Sequence, residues 1–157
     1  MKLLIKQRVF SWTDSYDVYD EDGVVKYFVK ADFLTLGHRL HVYDARENEV
    51  GWIREKVFRL MPEFEIVMND RVVGSIQKRF TFLKPKYDID FNGWRAEGDF
   101  FGWNYDVWAA CCVAVHITKE LLHWGDTYVI EYANPKDELA ALMLAIAIDA
   151  ANCTQGN

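Results

Sequence analysis

One short segment concentrates basic and aromatic side chains. Residues 78–86 read Lys-Arg-Phe-Thr-Phe-Leu-Lys-Pro-Lys and contain no acidic residue. On a chain with a net charge of −6, the best local candidates for an anion site are Lys78, Arg79, Lys84 and Lys86. Basic side chains beside aromatic ones suit the headgroup surface of an anionic phospholipid membrane. The alternative is a solvated connection between strands, because most runs of charge are simply surface.

Three carboxylates form a second candidate. Asp88 and Glu97 lie on either side of a predicted turn at residues 92–93, and Asp90 shares their face. Like charges that face each other across a hairpin repel, and a bound cation would relieve that repulsion. Hard oxygen ligands of this kind suit calcium, although three are few for a calcium site. The alternative is that Arg95 and solvent screen the carboxylates.

The sequence lacks the motifs of common enzymes. It contains neither a G-x-S-x-G elbow nor a glycine-rich nucleotide loop, so we predict no catalytic residues, no cofactor and no resident metal. Asp149 interrupts an apolar helix. It is either a buried functional acid or a residue that meets water or a backbone donor at the barrel mouth. The histidines are scattered, at positions 38, 41, 116 and 123.

The cysteines predict no disulfide framework. They are three, without C-x-x-C spacing, and lie at positions 111, 112 and 153. We therefore expect buried, reduced thiols and a cytoplasmic protein. The first ten residues include three basic ones, which is unlike a signal peptide.

Length and composition favour one soluble domain over residues 1–157. The chain is 51% hydrophobic and 15% aromatic, which is enough to build a large core. Its acidic balance argues against nucleic acid as a partner. The longest apolar run, residues 139–148, is about half of what a membrane-spanning helix needs.

A repeat of about 24 residues organises most of the chain. In each copy, an aromatic residue or leucine is followed by a polar and then a β-branched residue, as in Tyr16-Asp17-Val18 and Phe64-Glu65-Ile66. Each unit predicts a strand, a turn and a second strand. The predicted strands lie near residues 3–10, 15–20, 24–30, 38–44, 49–56, 64–69, 71–79, 86–91, 94–101, 104–110, 112–119 and 126–133. Open sheets of that many strands usually curl or close.

The Asn92-Gly93 dipeptide predicts a two-residue hairpin. It would pair Phe91 with Trp94 and Asp88 with Glu97. Side chains alternate along a strand, so the aromatic and aliphatic residues of this hairpin share one face and the charged residues share the other.

The last segment changes to a helical pattern. Asn134 is a good N-cap and Pro135 suits the first helical position, so we predict a helix over residues 135–153. Between Leu139 and Ile148 the helix has no polar side, and a helix that is apolar all round is buried all round. We therefore expect a mostly β fold, a closed antiparallel barrel of about twelve strands around a central apolar helix.

The chain resembles a known family, the bacterial branch of the LURP-one-related proteins, within the tubby C-terminal-like superfamily. The resemblance lies in Gly37-His38-Arg39-Leu40, residues 88–94, residues 97–103, Trp124-Gly125-Asp126-Thr127-Tyr128 and the run from Asp137 to Cys153. It implies a twelve-stranded barrel around a central helix and no established activity. Tubby relatives suggest phosphoinositide binding and membrane tethering, and the related phospholipid scramblases suggest contact with lipid.

Two functions remain open from the sequence. The first is a non-enzymatic barrel that binds anionic phospholipid headgroups or an unknown protein without spanning the membrane. The second is a small-ligand carrier or an enzyme with a site at a barrel mouth, where ligands often bind. A helix that fills the barrel argues against an internal carrier cavity.

Overall fold

Twelve strands and one helix follow one another in the computed structural model, which describes residues 1–6, 15–32, 36–122 and 125–154, with backbone alone at 121, 122, 125 and 126. The strands are β1 (Lys2–Ile5), β2 (Tyr16–Tyr19), β3 (Val25–Asp32), β4 (Arg39–Asp44), β5 (Glu49–Glu55), β6 (Glu63–Met68), β7 (Arg71–Arg79), β8 (Lys86–Phe91), β9 (Trp94–Asp99), β10 (Asn104–Ala109), β11 (Cys112–Leu122) and β12 (Gly125–Tyr132). A 3-10 turn (Pro135–Asp137) leads into α1 (Glu138–Cys153). All twelve predicted strands and the helix are confirmed, with shifts at their ends. The predicted extension of β1 over residues 7–10 falls outside the described residues.

The strands form a single antiparallel sheet that is nearly closed into a barrel. Their order is β8-β7-β6-β5-β4-β3-β2-β1-β12-β11-β10-β9, so neighbours in sequence are neighbours in the sheet except for β8 and β9. The chain also closes on itself where β1 pairs with β12, with Leu3 opposite Ile130. The two edges of the sheet are therefore β8 and β9, which follow each other in the chain.

The predicted turn between β8 and β9 is confirmed, but the predicted pairing of these two strands is wrong. Asn92 and Gly93 have φ values of 56° and 66°, as a reversal of this kind requires. However, β8 pairs only with β7 and β9 only with β10. Turn residues specify a reversal of the chain but not the ladder beyond it, and side chains join these strands instead. We call this unpaired boundary the seam.

The helix contributes much of the core. All twelve residues from Ala140 to Ala151 are buried, and α1 contacts β5, β6, β7 and β12. Gly51 of β5 allows a close approach, because a Cβ there would lie 3.1 Å from Cε of Met143 and 2.8 Å from the carbonyl oxygen of Val67. The apolar pattern of the sequence thus predicts the burial of the helix correctly.

Polar contacts fix the first turn of the helix. The Asn134 side chain accepts a hydrogen bond from the backbone N–H of Lys136, as expected of an N-cap. Glu138 accepts hydrogen bonds from the hydroxyl groups of Tyr27, at 2.8 Å, and of Tyr132. Lys26 adds an ion pair to Glu138 at 3.1 Å. The beginning of α1 is therefore bound to β3 and β12.

The two ends of the barrel differ. Short turns connect the strands at one end, which we call the turn end; they include residues 45–48, 69–70, 92–93 and 110–111. The opposite end, which we call the loop end, carries the connections at residues 56–62, 80–85 and 100–103, of which the first two are longer than any of these turns. The helix begins beside the turn end and finishes beside the loop end, because Glu138 bonds to Tyr132 and Asn152 to Phe100.

The prediction of buried cysteines is wrong. Cys111, Cys112 and Cys153 are all free, as expected, but all three are exposed. Cys111 lies in the β10–β11 turn and Cys112 begins β11, so neither faces the core. Cys153 is the last residue of α1, beyond the buried stretch.

Candidate functional site

The loop end exposes a group of large apolar side chains. Among the described residues, every leucine and phenylalanine that is more than half exposed lies in a connection at this end of the barrel. Phe58, Leu60, Phe82 and Leu83 are each more than 90% exposed. The others are Leu36, Phe80 and Phe101. Apolar side chains concentrated in this way mark an interaction surface, whereas scattered ones need no explanation.

These side chains come from adjacent loops. Phe80 and Phe82 contact each other edge to face, with ring centroids 5.4 Å apart. Met61 and Phe101 line a small cavity together with residues 78–85. The backbone N–H of Lys78 donates to the carbonyl oxygen of Pro62 at 2.9 Å, which fixes the 56–62 loop against β7. The 56–62 loop, the 80–85 connection and Phe101 therefore lie side by side on a base that β7 fixes.

The four basic candidates occupy three different environments. Lys78 lies in the barrel wall with 4% of its surface exposed, and its Nζ lies 5.3 Å from the centroid of the Phe101 ring. Burial lowers the pKa of Lys78 below its usual value. Arg79 is exposed and binds Asp88, with Nε donating at 2.6 Å. Lys84 and Lys86 are exposed and have no ion pair among the described residues.

The structure thus restricts the candidate anion site to the second half of the basic segment. Lys78 cannot present its ammonium group to a flat ligand, because the barrel wall encloses it. Arg79 already has a carboxylate partner. Lys84 and Lys86 remain available as cations, and Lys84 lines one cavity together with the apolar residues Phe82 and Leu83.

The predicted group of carboxylates is not formed. Asp88 binds Arg79, and Glu97 accepts from Arg95 at 3.3 Å. Asp90 lies opposite Ser75 on β7, and no ladder joins β8 to β9. Within the described ranges, no three His, Cys, Asp or Glu side chains come close enough to hold a metal ion.

A cleft of about 450 Å³ opens along the seam. Its walls are residues 84–88 on the β8 side and residues 96–98 on the β9 side, and Phe100 also lines it. The rings of Tyr87 and Phe100 meet edge to face, with centroids 4.9 Å apart. Lys84 and Lys86 lie on one wall and Glu97 on the other.

The end of the helix joins the two sides of the seam. The Tyr87 hydroxyl donates a hydrogen bond to Oδ1 of Asn152, and Nδ2 of Asn152 donates to the carbonyl oxygen of Phe100 at 3.1 Å. One helix side chain therefore links β8 to the connection after β9. Burial raises the pKa of Tyr87 well above its usual value, so its hydroxyl stays a donor at neutral pH.

Asp149 is a buried acid one helical turn before Asn152. It is 5% exposed, and its Oδ2 has no hydrogen-bond partner among the described residues. Desolvation raises its pKa from 3.8 to about 7, and a hydrogen bond with Trp103 opposes this rise. The hydroxyl of Tyr16 is likewise buried without a described partner.

The three histidines that the structure describes lie apart, each beside a carboxylate. His41 Nδ1 lies 2.6 Å from Glu49, and His116 Nδ1 lies 2.5 Å from Asp106. His38 Nε2 lies 3.7 Å from Glu55. His123 falls outside the described residues.

Comparison with known proteins decides the family. The LURP-one-related family model matches residues 1–149. The chain belongs to the LURP-one-related family. It is 30% identical over 149 residues to the uncharacterized protein YxjI of Bacillus subtilis (strain 168), covering 95% of this chain and 92% of YxjI. The prediction of family membership is confirmed.

A solved structure shares the fold of this LURP-one-related chain. The X-ray structure of a protein from Arabidopsis thaliana superposes with a TM-score of 0.66, covering 96% of this chain and 90% of the plant protein. The two sequences are 14% identical, so the likeness concerns the fold alone. None of the helices formed by the described residues has the length and hydropathy to cross a membrane.

Sequence reasoning missed two features of this family member. Phe58 and Leu60 follow a strand and resemble its apolar continuation, so no local pattern indicates that they are exposed. Asn152 sits among alanines near the end of a helix, where an asparagine ordinarily marks only the approaching C-terminus. The available signal for Asn152 was that this polar residue lies on a side of the helix that also carries buried residues.

Proposed function

We propose that this LURP-one-related barrel is a non-enzymatic module that binds the surface of anionic phospholipid membranes through its loop end. The observation that carries the proposal is the concentration of exposed leucine and phenylalanine side chains at one end of the barrel, where Lys84 lies among them and Lys86 follows at the start of β8. The turn end has no leucine or phenylalanine exposed to that degree among its described residues.

The apolar side chains supply most of the binding free energy in this proposal. Complete transfer of one leucine or phenylalanine side chain from water to an apolar phase contributes about 1.5–3 kcal/mol. Phe58, Leu60, Phe82 and Leu83 could therefore contribute roughly 6–12 kcal/mol if all four were fully inserted. Loss of rotational and translational freedom opposes this gain, so we expect reversible binding.

The basic side chains add a smaller, salt-sensitive contribution. Each lysine near an anionic surface contributes about 1 kcal/mol, so Lys84 and Lys86 together contribute about 2 kcal/mol. The net charge of −6 reduces this sum. Salt should therefore weaken membrane binding without abolishing it.

The proposal includes the tubby C-terminal-like arrangement, with α1 in the middle of the barrel. The burial of twelve consecutive helix residues and the contacts of α1 with strands from separate parts of the sheet support it. In this arrangement side chains fill the barrel, which favours a binding surface over an internal ligand cavity. A cytoplasmic location stays a prediction.

The test is sedimentation with vesicles of phosphatidylcholine alone and of phosphatidylcholine with phosphatidylserine. We expect binding to the anionic vesicles, and about tenfold weaker partitioning for Phe82→Ser or Leu83→Ser, which corresponds to about 1.4 kcal/mol. Val24→Ser and Val72→Ser are matched controls, because both valines are 59% exposed near the turn end. These controls should bind like the wild type.

Two results would contradict the proposal. The first is a wild-type chain that stays in the supernatant with both kinds of vesicle at low salt. The second is equal loss of binding in the loop-end variants and in the valine controls. Thermal unfolding of each variant separates a change in binding from a loss of folding.

A further inference from the structure

The seam leaves two neighbouring strand edges without a partner. β8 pairs only with β7 and β9 only with β10, and all residues from 86 to 99 are described. An unpaired strand edge presents backbone N–H and C=O groups that can pair with another chain. Other barrels remove such edges by closing the sheet completely.

The cleft along the seam has the form of a site for one extended segment. Its floor includes the adjoining rings of Tyr87 and Phe100, and its walls belong to the two unpaired strands. The cleft is lined by residues 86–88 of β8 and residues 96–98 of β9, which corresponds to about 10 Å of extended chain. Side chains alternate along a strand, so every second residue of a bound segment would point toward the aromatic floor.

The charges along the cleft favour an acidic segment. Asp88 binds Arg79, and Glu97 binds Arg95, so both acidic side chains have a cation. Lys84 and Lys86 line the same cleft without an ion pair among the described residues. Two available cations with their acidic neighbours already paired complement a partner that carries carboxylates.

We propose that the seam binds an extended, acidic peptide segment of a partner protein by strand addition. The segment pairs its backbone with the free edge of β8 or β9, places apolar side chains on Tyr87 and Phe100, and turns carboxylates toward Lys84 and Lys86. Backbone pairing supplies affinity, while the aromatic floor and the two lysines supply selectivity. This proposal does not rest on membrane binding.

The test begins with a phage-displayed library of random linear decapeptides, selected against the full-length protein. We expect enriched peptides that alternate apolar and acidic residues. Their synthetic forms should bind at least tenfold more weakly to the double variant Lys84→Glu, Lys86→Glu. Lys136→Glu is the matched control, because Lys136 is exposed near the turn end, and it should leave binding unchanged.

Two measurements distinguish strand addition from other binding. Amide hydrogen exchange within residues 86–99 should slow when the peptide binds. N-methylation at alternate peptide positions should weaken binding at least tenfold in one register and little in the other, because only every second N–H of a strand faces its partner.

Several results would overturn the proposal. They are the failure to enrich any peptide, protection that falls outside residues 86–99, and insensitivity to N-methylation. A free protein that dimerises with residues 86–99 protected would assign the seam to a second copy instead. If anionic vesicles slowed amide exchange within residues 86–99 and the peptides did not, the seam would be a lipid site instead.

Discussion

The burial of Asp149 makes the stability of the barrel depend on pH. This carboxyl group is 5% exposed, and its pKa rises from 3.8 to about 7 because burial disfavours the charged form. The folded chain therefore keeps the proton up to about pH 7, whereas the unfolded chain releases it near 3.8. Between these two values the folded state binds more protons, so the free energy of unfolding falls as the pH rises.

The change Asp149→Asn removes this dependence, because asparagine resembles the protonated acid and does not titrate. A pKa difference of about three units corresponds to about 4 kcal/mol at 1.36 kcal/mol per unit. The variant and the wild type should thus be similar in stability at pH 4. By pH 8 the variant should be more stable by up to about 4 kcal/mol.

Urea unfolding at half-unit steps from pH 4 to pH 9 measures the difference in free energy between the two proteins. We expect the difference to grow between pH 4 and pH 7 and to level off above that. Asp22→Asn, at an exposed residue near the turn end, should follow the pH dependence of the wild type. A constant difference, or a variant that loses stability relative to the wild type as pH rises, would show that Asp149 does not cause the pH dependence.

Four further outcomes follow from the packing. Truncation before Pro135 should give an insoluble or molten chain, and a soluble product with cooperative thermal unfolding would place the helix outside the core. Gly51→Ala should lower stability by about 1–3 kcal/mol, because the added Cβ would lie 2.8 Å from the backbone carbonyl oxygen of Val67 and would also crowd Met143; urea unfolding measures the loss. Asn152→Leu should speed amide exchange along the seam, and unchanged exchange would deny that Asn152 joins the two strands. Calcium and chelators should both leave the melting temperature unchanged, and a clear rise with calcium would restore the carboxylates near the seam as a site.

Local patterns account for the part of the fold that the sequence predicts. Alternation within strands and turn residues such as Asn92-Gly93 act over a few positions, so they reveal where each strand lies. The unbroken apolar run of the helix predicts burial for a similar reason, since a helix with no polar side needs neighbours all round. Each of these signals depends on residues that are near one another in the chain.

The parts that the sequence could not predict depend on distant contacts. The seam stays unpaired even though its turn is ideal, and Asn152, more than 50 residues away, bonds to Tyr87 and Phe100 instead. The observed surface differs from the predicted one for the same reason. Side chains alternate along β7, so Lys78 points into the barrel wall, and Phe58 and Leu60 reach the surface from another loop. Exposure is a property of the assembled barrel, so the sequence predicted only the part of this surface that lies within residues 78–86.

Amide hydrogen exchange on vesicles of phosphatidylcholine and phosphatidylserine is the sharpest test of membrane binding through the loop end. We expect exchange to slow in the loop-end connections at residues 56–62 and 80–84 when vesicles are added. Exchange in the turns at residues 45–48 and 69–70 should stay as it is in solution. Slowing at the turn end, or no change at either end under conditions where the protein sediments with the vesicles, would contradict it.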